Sequence, residues 1–211
     1  MRLPFPVQML EKNYIISYET GTLTVLKQSS GGSVSVPTPQ PTPTDTNWVA
    51  GQGGWWYQNP DGTYPASEWK YLDSGKGYKA WYWFNPTGYI TFGWQKVGNT
   101  WYYMNASGEM QTGWQFIHNQ WYYLNNNGAM EMGWVQDDHK WYYMNPDGSM
   151  RFGWLHWAGY WYHLDSHGSM NVGWKQIGGK WYYFYPENGR MAENTTTPDG
   201  YVVGADGAWI Q

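Results

Sequence analysis

Apolar and polar positions in this chain come in short bursts rather than in long amphipathic runs. The stretch Trp114-Gln115-Phe116-Ile117 is broken by His118-Asn119-Gln120, and Trp121-Tyr122-Tyr123-Leu124 then forms a second burst. Two runs of strand-forming residues across a short polar or glycine-containing break predict a β-hairpin, and the equivalent breaks Val97-Gly98-Asn99 and Ile177-Gly178-Gly179 strengthen that reading. After the second run comes Asn125-Asn126-Asn127-Gly128, with counterparts Asn145-Pro146-Asp147-Gly148 and Asp165-Ser166-His167-Gly168, all with the chemistry of a type I turn. Side chains alternate faces along a strand, so Trp121 and Tyr123 should point one way and Tyr122 the other. A break centred between the runs would set Trp114 opposite Trp121 on one face. Helix has almost no support in the pattern.

The burst pattern repeats every 20 residues, marked by Gly93-Trp94, Gly113-Trp114, Gly133-Trp134, Gly153-Trp154 and Gly173-Trp174. Seven residues after each of these tryptophans a second cluster begins, at Trp101, Trp121, Trp141, Trp161 and Trp181. Self-similarity at this period predicts an all-β solenoid of hairpin repeats, each burying its apolar face against its neighbours. The glycine before each tryptophan is expected to let successive hairpins approach closely.

The ends depart from the register. Residues 48–92 hold two irregular opening units: Trp48 with Trp55-Trp56-Tyr57, then Trp69 and Trp81-Tyr82-Trp83 across the longer loop Asp73-Ser74-Gly75-Lys76-Gly77. Regular repeats run over 93–192, where the last turn, Glu187-Asn188-Gly189-Arg190-Met191, carries one extra residue, and 193–211 read as a cap. Upstream, 29–47 is rich in Ser and Gly and then in Pro and Thr, a composition that favours an extended, semi-rigid spacer. Residues 1–28 contain a hairpin-like pair, Tyr14–Tyr18 and Thr22–Leu26, too small to stand alone, and are expected to be the remnant of an upstream domain or a leader.

Composition sharpens this picture. Eighteen Trp and twenty Tyr against six Phe make rings, rather than aliphatic residues, the packing material. A net charge of −4 with 12 Lys and Arg argues against nucleic acid as a partner, because it provides no broad basic footprint for phosphates. There is no cysteine, so neither disulfides nor thiolate metal sites enter. No apolar stretch approaches the ~20 residues of a membrane span, and no hydrophobic signal region follows Met1.

Stacked hairpins would bring the Trp pair of one repeat toward the middle Tyr of the next, grouping Trp94, Trp101 and Tyr122, with Met110 as a candidate fourth wall. Three ring faces converging on one space suit a cation that cannot hydrogen-bond, such as a quaternary ammonium, at roughly 0.5–2 kcal/mol per contact. After the cost of immobilising the ligand, one such site would bind at about millimolar strength, near −4 kcal/mol. A regular array compensates by engaging several groups of one polyvalent surface. Periodicity alone leaves three readings open: rings as glue of the array, cation cages, or platforms for carbohydrate stacking.

The run Gly-Trp, Trp-Tyr-Tyr, glycine turn, Met and Gly-Trp again, five times in register, resembles the choline-binding repeat of surface proteins, autolysins and phage endolysins of pneumococcus-like bacteria. The resemblance covers about residues 48–211 and includes the opening segment Trp56–Pro65. It implies a left-handed β-solenoid with choline held between repeats, by Trp94, Trp101 and Tyr122; by Trp114, Trp121 and Tyr142; by Trp134, Trp141 and Tyr162; and by Trp154, Trp161 and Tyr182. Trp69, Trp81 and Tyr102, and Trp48, Trp55 and Tyr82, are further candidates with irregular loops. Met110, Met130, Met150 and Met170 are candidate walls, and Ile90 breaks that series.

The implied function is non-catalytic attachment to choline-bearing teichoic and lipoteichoic acids at the cell wall, outside the cell, with homodimerisation through the C-terminal end as a family trait. A glycan-binding repeat module, or the targeting half of a peptidoglycan-lytic enzyme, are the alternatives. Catalytic and metal-binding residues are not expected. His156, His163 and His167 fall on different strands and turns without an acidic ligand at a recognised spacing, and Asp137-Asp138 reads as a hairpin turn. Asn125–Gly128 lacks the acidic ligands of a calcium loop, and no cofactor is expected.

Overall fold

A computed structural model describes residues 14–19, 22–27 and 47–210, all in strands, turns and irregular segments. The chain divides into two units, 1–38 and 39–211. In the first, β1 (Tyr14–Glu19) pairs antiparallel with β2 (Thr22–Lys27). The expected spacer at 29–47 lies, apart from its last residue, outside the described residues. Among the described residues no helix is long and apolar enough to cross a membrane.

The second unit is a series of two-stranded antiparallel hairpins. Two irregular ones open it: β3 (Trp48–Gly51) with β4 (Gly54–Tyr57), and β5 (Glu68–Asp73) with β6 (Lys79–Phe84). The regular ones follow: β7 (Gly93–Val97) with β8 (Thr100–Met104), β9 (Gly113–Ile117) with β10 (Gln120–Leu124), and β11 (Gly133–Asp137) with β12 (Lys140–Met144). Then come β13 (Gly153–Trp157) with β14 (Tyr160–Leu164), β15 (Gly173–Ile177) with β16 (Lys180–Phe184), and a minimal cap of β17 (Thr195–Thr196) with β18 (Val202–Val203).

In the last four regular hairpins the loop is two residues long and left-handed at both positions: φ is 48° and 63° at His118 and Asn119, and 45° and 61° at Asp138 and His139, with Ala158-Gly159 and Gly178-Gly179 alike. This turn matches the right-handed twist of the strands. It also moves the register from the expected one. Trp114 lies opposite Tyr123, and Trp121 opposite Phe116, so the two tryptophans share a face as diagonal neighbours instead of facing each other.

The wider turns are tied by their first residue. Asn125 Oδ1 accepts from the backbone N–H groups of Asn127 and Ala129, and Asn145 and Asp165 head equivalent turns closed by Gly148 and Gly168. The methionine after each turn then stitches two hairpins together. Met130 N donates to Trp101 O at 2.8 Å, and Met150 and Met170 donate in the same way to Trp121 and Trp141. Ile90 takes this position at one end, donating to Trp55 O, and Trp209 takes it at the other, donating to Trp181 O.

Behind the stitch runs the core. The residue following each ring cluster, Phe84, Met104, Leu124, Met144, Leu164 and Phe184, is fully buried, which contributes about 1.5–3 kcal/mol apiece.

The glycines divide into two roles, and the close-approach role does not fall where the sequence suggests. A Cβ on Gly93, Gly113, Gly133, Gly153 or Gly173 would meet nothing within 4 Å; these positions need glycine for a φ of 67–79°. Close approach belongs to the turn glycines Gly128, Gly148, Gly168 and Gly189, where a Cβ would collide with Met110, Met130, Met150 and Met170 respectively.

Candidate functional site

The short hairpins set every ring by backbone register. Because Trp94 and Trp101 share a face of their hairpin, and the methionine stitch presses the next hairpin against them, the middle tyrosine of that hairpin closes the third side. Ring centroids are 6.4 Å apart for Trp94–Trp101 and 4.9 Å for Trp94–Tyr122. The same arrangement recurs at Trp114 with Trp121 (6.4 Å) and Tyr142 (4.8 Å), and at Trp134 with Trp141 (6.5 Å) and Tyr162 (5.0 Å). Trp154 repeats it with Trp161 (6.2 Å) and Tyr182 (4.9 Å). All these pairs meet edge to face, so each leaves a ring face free. Trp101, Trp141, Trp161 and Trp181 are each 40–42% exposed, so the free face opens to solvent.

The irregular candidates separate. Trp69, Trp81, Tyr102 and Met110 line a cavity of about 300 Å³, with Asn126 and Asn127 at its edge. The long loop before Trp81 does not disturb it: Ser74 Oγ donates to Tyr78 O (2.7 Å), and Lys76 Nζ reaches the buried Glu109 (3.1 Å), which also accepts from Tyr78 OH. Trp48 and Tyr82, by contrast, are 5% and 0% exposed and pack with Tyr57, Phe84 and Ile90 as core, with Trp55 half-buried against them. Trp48 Nε1 donates inward to Asp73 O, and burial pushes the Tyr82 hydroxyl, which has no hydrogen-bond partner, well above the usual phenol range. That triplet forms a plug at the start of the array rather than an open cage.

The methionine walls are shifted by one repeat from the expected assignment. Met110 belongs to the Trp69 cage and Met170 to the Trp134 cage, because each methionine bonds the carbonyl of the preceding cluster tryptophan. By the same bonds Met130 stands beside Trp101 and Met150 beside Trp121.

Two features escape the sequence reading. Trp157, at the tip of β13, adds a fourth ring to one cage, 6.1 Å from Trp134 and 6.2 Å from Tyr162. At the C-terminal end Trp174, Trp181, Tyr201, Trp209 and Asp199 line a cavity of about 350 Å³. The 28-residue spacing from Trp174 leads to Val202, not to a ring, so this site has no register signal. The two rings of the cap, Tyr201 and Trp209, were the available clue.

Carboxylates touch two cages. Asp137 Oδ2 accepts from Trp114 Nε1 at 3.0 Å, and Asp199 Oδ2 from Trp174 Nε1 at 2.8 Å. An indole N–H donating to an anion enriches its ring in electron density and strengthens its pull on a cation. Burial, then Asp147 and Asp137 respectively, raises the Tyr122 and Tyr142 hydroxyls above the usual phenol value, so both rings stay neutral at physiological pH.

The histidines form no cluster. His156 packs on Trp161 (4.9 Å), and His163, its pKa lowered by burial, bonds Asn171 at 2.8 Å, while His167 is exposed on a turn. Asp138 sits in the left-handed hairpin loop, as its turn chemistry suggests. Among the described residues no group of three or more His, Asp and Glu could hold a metal ion.

Comparison with known proteins agrees with this geometry. Residues 111–152 and 171–209 match models described as choline-binding repeat, and residues 93–110 and 153–170 match one described as a cell wall binding repeat. Among solved structures, choline binding protein F from Streptococcus pneumoniae, in the presence of a tetrasaccharide-pentapeptide peptidoglycan analogue, is 38% identical over 79% of this chain, with a TM-score of 0.70. CbpJ from Streptococcus pneumoniae TIGR4 is 39% identical over 79% of this chain, with a TM-score of 0.71. The match covers 58% of each of those chains. No curated protein sequence matches.

Proposed function

The chain belongs, over residues 93–209, to the choline-binding repeat family, and on that premise we propose that it attaches to a bacterial cell wall by holding choline groups of teichoic and lipoteichoic acids in its aromatic cages. The observation that supports this most is one ring geometry repeated four times within a few tenths of an ångström, with its cluster tryptophan exposed in the sets of Trp101, Trp141 and Trp161. Rings serving only as glue would be covered, as Trp48 and Tyr82 are at the start of the array.

A quaternary ammonium fits such a cage because it carries charge but no N–H that must be satisfied. At about millimolar strength per site, retention depends on several cages engaging one polymer, whose linked groups raise the local concentration for each further contact. The module acts outside the cell and performs no chemistry itself; catalysis or adhesion would come from a domain joined to it. Relatives longer than this chain fit such a division of labour.

The test is retention on a quaternary-amine resin with elution by free choline. Retention in saturating choline, with release by oligosaccharide, would replace this reading with the glycan-binding one. Clearing of choline-containing cell walls in a zymogram by this chain alone would overturn the non-catalytic assignment.

A further inference from the structure

The cage built on Trp134 differs from the others in having a fixed cation at its rim. Its cavity, about 340 Å³, lies at the lower end of the range for small-molecule sites and is lined by Trp134, Trp141, Trp157, Tyr162 and Met170 on the apolar side. The other side comes from the last wide turn, through Pro186, Glu187, Asn188 and Arg190. At the corresponding place the Trp69 cage has the neutral Asn126 and Asn127.

The extra residue of that turn accounts for the difference. Gly189 N and Asn188 N both donate to Tyr185 O, and Arg190 N donates to Asn188 Oδ1 at 2.9 Å, which sets Arg190 directly before the stitching Met191. The residue before the methionine is Glu109, Ala129, Ser149 or Ser169 in the other turns. Arg190 is half-buried, with its guanidinium carbon 3.8 Å from the centroid of the Tyr160 ring. Its Nε is buried without an acceptor, and it is in none of the ion pairs among the described residues. The nearby carboxylates, Glu187 on this rim and Glu193 on the adjoining groove that Arg190 also borders, are exposed, where solvent screens them.

We propose that this cage recognises a zwitterion: the quaternary ammonium sits among Trp134, Trp141, Trp157 and Tyr162, while the Arg190 guanidinium takes the phosphate esterified to it. This rests on the choline reading above and adds a second recognition element to one site. In phosphocholine only two methylenes and an ester oxygen separate the charges, so a cation at the cage rim meets the phosphate while the ammonium remains among the rings. A guanidinium offers a planar fork of donors matched to phosphate oxygens, and one already packed on a ring loses little freedom on binding.

The test follows the Trp157 indole N–H signal by NMR in the whole chain, with Trp157→Phe to assign it, during titration with choline and with phosphocholine. Phosphocholine should bind this cage about three- to tenfold more tightly than choline, and raised salt should shrink the preference. Arg190→Gln should abolish it and Arg190→Lys should keep part of it. Equal affinities in the unmodified chain, or a preference that survives Arg190→Gln, would overturn the proposal. Should Arg190→Gln fail to fold, Arg190→Lys and the salt series decide alone: a preference unaltered by both refutes it. If the signal responds to neither ligand, the choline reading of the cage fails with it, whereas a response to choline without preference removes only the Arg190 element. Glycerophosphocholine and phosphatidylcholine vesicles distinguish the source. An Arg190-dependent response to the first alone assigns a wall-polymer or soluble phosphodiester, and a response to both extends the site to lipid headgroups.

Discussion

Gly133→Ala and Gly148→Ala place the same methyl group on backbones of nearly equal torsion, φ 79° and 82°, in different surroundings. At Gly133 the new Cβ meets nothing within 4 Å, so only left-handed strain remains, about 1–2 kcal/mol. At Gly148 it would land on the Met130 thioether, adding an overpacking cost of about 1–3 kcal/mol, toward the lower end because methionine adapts. The expected totals are therefore about 1–2 and about 2–4 kcal/mol. Met130 also donates its N–H to Trp101 O, so its displacement should weaken choline binding at the Trp94 cage, which Gly133→Ala leaves alone. Urea unfolding followed by near-ultraviolet circular dichroism, with and without saturating choline, reads both effects. Adding Met130→Ala to Gly148→Ala should relieve the collision and give a coupling of about 1–2 kcal/mol. Equal destabilisation by the two glycine substitutions, or strict additivity with Met130→Ala, would refute this division of glycine roles.

Trp134→Ala removes the ring that Trp141, Trp157 and Tyr162 all touch, and should lower the choline stoichiometry by one in calorimetry while cages elsewhere titrate unchanged. Ala158→Gly should raise the melting temperature, because Ala158 is held at φ 50° and glycine relieves up to about 1 kcal/mol of strain there. Asp199 is held below the ordinary carboxylate value of 3.8 by hydrogen bonds from Thr197 and then Trp174. A depressed folded value means that its contribution is complete above the unfolded pKa and fades as pH falls through the folded one. Trp174 fluorescence should therefore change below about pH 4, and Asp199→Asn should remove that transition.

The triplets were legible because spacing within a repeat is rigid. Two short strands and a tight turn leave no freedom in how Trp94 and Trp101 share a face, and a constant period carries Tyr122 to the same relation in the next hairpin. Turn chemistry was legible too, since Asn125 and Gly128 leave the backbone few alternatives. Less was readable where a residue's role depends on a neighbour it is not in register with. The loop lies one residue later than one centred between Trp114 and Trp121, at His118-Asn119, and this moved the partner of Trp114 from Trp121 to Tyr123. The methionine walls shifted by a whole repeat because a backbone bond to the previous hairpin, not their own turn, sets their place.

The amino-acid sequence by itself determined that this protein is a repeat of hairpins and which rings recur at cage spacing, since both follow from local period and turn residues. Which ring sets stay open was a tertiary decision. Trp48 and Trp55 stand seven residues apart, as Trp94 and Trp101 do, yet Tyr57, Tyr82, Phe84 and Ile90 close around Trp48 at the end of the stack. Trp174 finds its third ring in Tyr201, a residue outside the register, because the cap folds back over the last hairpin. Spacing states which side chains can meet, whereas the packing of the next element decides whether they enclose solvent or one another.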